Sequence, residues 1–317
     1  MALRALGIAI GCAAVLVAAT ACTSDYREDR AEARFPPEGQ FIEVNGTRVH
    51  YVTRGSGPDL VLIHGASGNL RDFTFSLVGK LEDRYRVTAF DRPGLGYTER
   101  MDPDGTSITD QANLLASASE QLGLREPIVL GHSFGGAVAL AWAVERPGSL
   151  SALVLLSAPS QPWESDLSLF YQITSSDLGG ATVVPAITAF APKSAVQNVV
   201  EGIFAPQEPP EGYMEHIGAP LSLRSTSLRA NAKQRANLLP QIESLHTRYD
   251  AIDVPIELVH GDADTTVGLS IHSVPLARQL ENANLTVLEG VGHMPHHADE
   301  PAVIDAIDRA ARRAGLR

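Results

Sequence analysis

The sequence holds only two cysteines in 317 residues, Cys12 and Cys22, both near the N-terminus. The body beyond them has none, which excludes a disulfide framework, a thiolate metal site and a cysteine nucleophile there. Positive charge is also scarce. Lys and Arg number 25 against 37 Asp and Glu, giving a formal net charge of -12. A nucleic-acid partner would want a basic face, so none is expected. No protein partner is implied, and no internal repeat is visible. A permanent span needs about 20 strongly apolar residues. The most apolar stretch, at the N-terminus, is shorter and diluted by Ala and Gly. What remains is an ordinary globular balance, 44% hydrophobic and 20% charged, on a chain long enough to bury a large core.

Residues 1–21 carry one charge, Arg4, then an apolar stretch, then the small residues Ala19, Thr20 and Ala21. That order is the pattern of a secretory signal and predicts export, to a periplasmic or extracellular face. Ala19-Thr20-Ala21-Cys22 resembles a bacterial lipobox. The resemblance implies that Cys22 is lipidated, becomes the first mature residue and anchors the protein to a membrane. Plain cleavage after Ala21, with secretion, stays open. Loss of residues 1–21 removes Arg4 and makes the chain one unit more negative. Residues 22–39 are polar and charged and end in Pro36-Pro37, with no apolar periodicity. They read as a flexible tether before a body of residues 40–317.

The body alternates strands with helices, which predicts an α/β fold with a mostly parallel sheet. It opens on a hairpin, two short runs flanking Asn45-Gly46, a tight-turn dipeptide. Six short apolar runs follow, at 60–63, 85–90, 127–130, 150–156, 255–259 and 285–288, as expected of strands covered on both faces. With the hairpin they make eight strands. Helices are predicted over 70–81, 107–122, 134–146, 270–280 and 301–313. The alternation breaks at about 160–249, where apolar residues recur at helical spacing around Val196, Val199, Val200 and Ile203. This is expected to be a helical lid inserted over the carboxyl ends of the strands, where open α/β sheets bind ligands.

Gly131-His132-Ser133-Phe134-Gly135 sits between a predicted strand and a predicted helix. That is the context a G-x-S-x-G nucleophile elbow requires, with Ser133 on a sharp turn at a helix N-terminus. A serine hydroxyl needs a base. The strand at 255–259 runs into His260-Gly261-Asp262-Ala263-Asp264, and the strand at 285–288 into Gly290-Val291-Gly292-His293. His293 is the expected base and Asp264 the acid that orients it, with Asp262 as rival acid. The expected oxyanion donors are the backbone N–H groups of Phe134 and of Ala66, in the loop His64-Gly65-Ala66-Ser67-Gly68. His64 reads as a structural residue holding that loop. His293, His296 and His297 form a local cluster, but Pro295 breaks the spacing that would align two ligands. No metal and no cofactor are expected, and His296 and His297 are expected to face solvent or edge the pocket.

These motifs, together with Asp91-Arg92-Pro93-Gly94-Leu95-Gly96-Tyr97 and Glu300-Pro301 after His293, resemble the α/β-hydrolase superfamily over most of the body. The chain is similar to its lidded branch of esterases, haloperoxidases, carbon–carbon bond hydrolases, epoxide hydrolases and haloalkane dehalogenases. The last two groups use Asp as nucleophile, whereas Ser133 stands in that place here. Ala66 also offers no side-chain halide ligand. The resemblance implies a serine hydrolase acting on a small ester or related carbonyl substrate. A carbon–carbon bond hydrolase or a perhydrolase-like enzyme is the alternative. The non-enzyme alternative is a catalytically silent, lipid-anchored binding protein.

Overall fold

The computed structural model describes residues 2–317, with side chains of the first helix from Gly11 onward. The eight strands are β1 (Gln40–Val44), β2 (Thr47–Arg54), β3 (Asp59–Ile63), β4 (Arg86–Phe90), β5 (Ile128–His132), β6 (Ala152–Leu156), β7 (Ile256–Gly261) and β8 (Ala283–Leu288). They form one sheet in the order β1-β2-β4-β3-β5-β6-β7-β8. β1 pairs antiparallel with β2, and β2 with β4; every other pairing is parallel. The β1–β2 hairpin turns at Asn45 and Gly46, with φ of 52° and 80°. Both angles lie in the left-handed region, as a tight hairpin turn demands.

β3, β5, β6 and β7 are buried along their whole length, which is why their sequences read as unbroken apolar runs. Alternate side chains feed two cores. In β3, Val61 and Ile63 enter the core beneath α4 (Ile108–Gln121) and α5 (Phe134–Glu145). Leu60 and Leu62 enter the other, against α3 (Leu77–Leu81) and α15 (Glu300–Arg313). Each fully buried aliphatic side chain contributes about 1.5–3 kcal/mol, so both faces are well secured.

Between β6 and β7 the chain leaves the sheet and makes the predicted helical insertion. Its helices are α6 (Leu169–Ser175), α7 (Asp177–Phe190), α8 (Lys193–Phe204), α9 (Tyr213–His216), α10 (Ala219–Ser222), α11 (Ser225–Ala236) and α12 (Leu238–Leu245). The remaining helices are α1 (Ala2–Arg34), α2 (Arg71–Thr74), α13 (Ser273–Gln279) and α14 (Pro295–Ala298).

Two readings of secondary structure differ from the structure. The helix expected over 70–81 is broken into α2 and α3, because Ser76 departs from helical geometry at φ -145°, ψ -54°. The break lets Phe75 leave the helix axis and stack edge-on against Tyr213 and His297. The segment read as a flexible tether is helical to Arg34 and docks on the lid, with Ser24, Ala31 and Phe35 buried. Its docking face is built mostly of Ser24, Arg27, Glu28 and Glu32, so it carries no apolar periodicity to read. Among the described residues, no helix is long and apolar enough to cross a membrane.

Candidate active site

Ser133 joins β5 to α5 with φ 51° and ψ -123°, a strained conformation for a non-glycine residue. The surroundings hold it there. Its N–H donates to Leu156 O at 2.8 Å, and its carbonyl accepts from Gly136 N at 2.8 Å. The turn works only where backbone meets backbone. A Cβ on Gly131 would run into the Gly135 carbonyl, and one on Gly135 into the Ile63 carbonyl. The Ser133 side chain is thereby lifted off the carboxyl edge of the sheet, and the residue is 9% exposed.

Two loops from the same edge converge on it. His293, after β8, places Nε2 2.9 Å from Ser133 Oγ. Its Nδ1 lies 2.7 Å from Asp264 Oδ2, on the loop after β7. Asp264 Oδ1 accepts from the N–H groups of Thr266 at 2.8 Å and Val267 at 2.9 Å. Burial opposes ionisation of this carboxyl, but hydrogen bonds from His260 and His293 and from the Val267 N–H outweigh it and hold it well below the usual carboxylate range. An ionised Asp264 can only accept, so His293 Nδ1 carries the proton and Nε2 faces the serine hydroxyl with its lone pair. The rival Asp262 is elsewhere. It is exposed and accepts from Gly290 N at 2.7 Å, closing the turn after β8.

His260 adds a support that the sequence reading did not assign. Its Nε2 donates to Val267 O at 2.8 Å and lies 3.2 Å from Asp264 Oδ2, while Nδ1 accepts from Ser273 Oγ at 2.7 Å. The available signal was its place four residues before the acid, at the end of β7.

The loop of Ala66 lies against the elbow: a Cβ on Gly65 would stand 3.2 Å from Ser133 Cβ. Among the described residues, the N–H groups of Ala66 and Phe134 have no partner within the chain. His64 is buried and fixes this loop, its Nε2 accepting from Arg92 N at 3.0 Å and its Nδ1 donating to Gly65 O at 2.9 Å. Burial and the neighbouring Arg92 push its pKa down to about 4, so it stays neutral. Arg92, fully buried, donates to the carbonyls of His64 and Gly65, each at 2.9 Å. It also reaches Gln234 of α11 at 2.8 Å and lies over the Phe134 ring at 4.3 Å. Burial and the nearby Arg235 push it down to about 9, still a cation at neutral pH. Asn231 of α11 accepts from Ser67 N at 2.7 Å and donates to Ser67 Oγ at 2.9 Å, so the helical insertion itself holds the loop.

The expectation that His296 and His297 face solvent or edge the pocket is not met. Both side chains turn inward to Asp72 of α2, at 3.0 and 2.8 Å, and Tyr213 OH donates to the same carboxylate at 2.9 Å. Burial works against charge on Asp72, but His296 and His297 hold its carboxyl well below the usual range. His132, the residue before the serine, donates from Nε2 to His293 O at 2.9 Å. Its Nδ1 has no partner and lies 4.0 Å from Asp72 Oδ2. Asp72, His132 and His296 are the described residues whose donor atoms lie close enough to share a metal ion, within 4.8 Å of one another. No sequence signal pointed to this cluster, because Asp72 comes from a segment far along the chain.

Comparison with known proteins agrees with the architecture. An uncharacterised protein of Mycobacterium tuberculosis is 25% identical over 286 residues, covering 86% of this chain and 81% of its own. Haloalkane dehalogenase 2 of the same species is 30% identical over 178 residues, covering 51% of this chain and 60% of its own. Among solved structures, an alpha/beta hydrolase fold protein from Burkholderia ambifaria superposes with a TM-score of 0.72 at 25% identity, covering 86% of this chain and 97% of that one. An esterase from Thermogutta terrifontis gives a TM-score of 0.70 at 21% identity, with coverage of 87% and 99%. The sequence profile of the alpha/beta hydrolase family runs over residues 60–306, from β3 into α15, and so takes in the elbow and both converging loops: the chain belongs to that family.

Proposed function

We propose that the protein is a serine hydrolase that cleaves a small ester or related carbonyl substrate through an acyl-enzyme. The observation that carries this is the continuous chain Ser133 Oγ–His293–Asp264, at 2.9 and 2.7 Å. His293 Nε2 takes the hydroxyl proton as Ser133 Oγ attacks the carbonyl carbon. The N–H groups of Ala66 and Phe134 receive the developing oxyanion. His293 then gives the proton to the departing alcohol, and the ester bond to it breaks. Water, deprotonated by the same imidazole, releases the acid and restores Ser133. Every proton in this cycle is handled by His293, and the chemistry uses no cofactor.

The similar dehalogenase does not make this chain one. Ser133 occupies the position of the nucleophile, and Ala66 has no side chain to hold a halide. We further infer that the protein is exported and anchored through Cys22, on the support of the lipobox resemblance. A fluorophosphonate probe tests the enzyme reading: wild type is expected to label covalently and Ser133→Ala not to label. Equal labelling of the two, or none of folded wild type, overturns it. Turnover of short aryl esters in preference to a vinylogous diketone separates the esterase from a carbon–carbon bond hydrolase.

A further inference from the structure

Asp72, His132 and His296 meet from three segments of the chain: α2, the last residue of β5, and α14. All three are buried, and their donor atoms lie within 4.8 Å of one another. The cluster stands beside the triad, the His132 ring 5.0 Å from that of His293. Pro295 argues against ligands drawn from one local run of histidines, but not against ligands gathered by the fold. His132 is the informative member. Its Nε2–H donates to His293 O at 2.9 Å, so in the neutral ring Nδ1 carries a lone pair. That nitrogen is buried without a partner and faces Asp72 Oδ2, also an acceptor, at 4.0 Å. A proton on Nδ1 would be too far from this oxygen to make a hydrogen bond. Gly65 leaves the nitrogen clear, since a Cβ there would stand 3.1 Å from it.

A larger cation fits where a proton does not. Ligand atoms around a tetrahedral zinc ion, each at about 2.0–2.2 Å, are about 3.3–3.6 Å apart. Asp72 Oδ2 sits 3.0 Å from His296 Nε2 and 4.0 Å from His132 Nδ1, on either side of that spacing. The supporting contacts match as well. A ligating imidazole typically donates its other N–H to a backbone carbonyl or a carboxylate, as His132 does to His293 O. A ligating carboxylate is itself held by hydrogen bonds, as Asp72 Oδ1 is by Tyr213 OH at 2.9 Å and His297 Nε2 at 2.8 Å. His296 ligates through Nε2 once its proton moves to Nδ1, which has no partner. Two imidazoles and a carboxylate suit zinc, whereas magnesium and calcium take oxygen ligands.

We propose that Asp72 Oδ2, His132 Nδ1 and His296 Nε2 form a zinc site, with water in the fourth position, that ties the nucleophile elbow to α2 and α14. Neither Ser133 nor the imidazole of His293 is a ligand. The site therefore goes beyond the hydrolase reading and stands without it. Its role is to hold the elbow and the segment after His293 together, not to act on the substrate.

The test uses the full chain without added histidines, stripped with EDTA. All chains carry Cys12→Ser with Cys22→Ser, because those exposed thiols are rival soft ligands. Zinc is titrated against a chromophoric indicator, and about one tightly bound ion per chain is expected. Asp72→Asn and His132→Asn should each weaken binding at least about a hundredfold, and Ser133→Ala should stay within about twofold. At a hundredfold excess over Kd, zinc should raise the urea midpoint of the parent chain by roughly 0.5–1 M and leave that of His132→Asn in place. No saturable binding overturns the proposal, as does binding that survives both substitutions or an unmoved midpoint in the parent chain. Crystals of the parent chain grown with Zn²⁺ need no variant. An anomalous peak at the zinc edge between the three side chains supports the site, and peaks only elsewhere overturn it. Absence of ester turnover in a chain that binds zinc as expected would count against the hydrolase reading alone.

Discussion

Asp264 accepts from two backbone N–H groups and from His293, with His260 alongside, and this fixes what a one-atom change there should do. Asp264→Asn keeps the shape but presents an amide N–H to the imidazole or forces its other tautomer, so Nε2 loses the lone pair that the hydroxyl needs. In the serine-protease template this costs about 10⁴ in kcat. We expect a loss of about 10³–10⁴ on a soluble ester, with KM within about threefold. Asp262→Asn, which touches only the turn at Gly290, should stay within about twofold of wild type. Steady-state kinetics of the two variants separates the rival acids, and equal losses would contradict the assignment. At this scale the sequence was informative where chemistry depends on local context. Ser133, Asp264 and His293 each follow a strand end, and chain order sets their roles. Arg92, Asn231 and Asp72 were illegible because their partners lie on other elements. Arg92 reads as one residue of a loop motif until its contacts with His64, Gly65 and Gln234 are seen.

At the scale of the element, the elbow depends on α5 lying so close to β3 that only hydrogen fits at Gly135. Gly→Ala in an exposed helix gains about 1 kcal/mol. Here the added methyl meets the Ile63 carbonyl, a backbone atom that cannot rotate away. Overpacking of that kind costs about 1–3 kcal/mol or more, so Gly135→Ala should destabilise by about 2 kcal/mol net. A lower urea midpoint at unchanged m-value would show this, and a raised midpoint would refute it. The strands were readable because burial on both faces demands continuous apolar runs. α4, predicted over 107–122, begins where Ser107 caps it, its side chain accepting from Asp110 N. α1 was not, because it docks through charge and hydrogen bonds and because helix propensity is weak evidence without a face. The break between α2 and α3 was hidden for a different reason. It serves Phe75, whose partners arrive from the helical insertion and from α14.

For the whole molecule, the buried imidazoles set the response to acid. His64 and His272 are both held neutral, with burial the largest cause, and each is pushed down to about 4. In the unfolded chain each titrates near 6.5. Above that pH neither state is protonated and the pair changes nothing. Between about 6.5 and 4 the unfolded chain binds protons that the folded one refuses, so stability falls as pH falls. Below about 4 both states are protonated and these groups add no further loss. At pH 5 the loss is roughly 2 kcal/mol for each. The buried carboxylates Asp72, Asp91 and Asp264 are shifted the other way, and their stabilisation is lost only as pH falls below the unfolded carboxylate range near 4. They leave the interval from pH 7 to 5 to the histidines. Net charge works against the effect there. With a sequence pI near 5.3, self-repulsion shrinks on acidification and favours the compact state. A fall in the urea midpoint between pH 7 and pH 5 is therefore expected from the imidazoles and from no change in overall charge. High salt, which screens the repulsion but not the cost of burying a proton, should leave that fall in place. A midpoint that holds steady or rises over this range would mean that His64 and His272 can take up protons in the folded state.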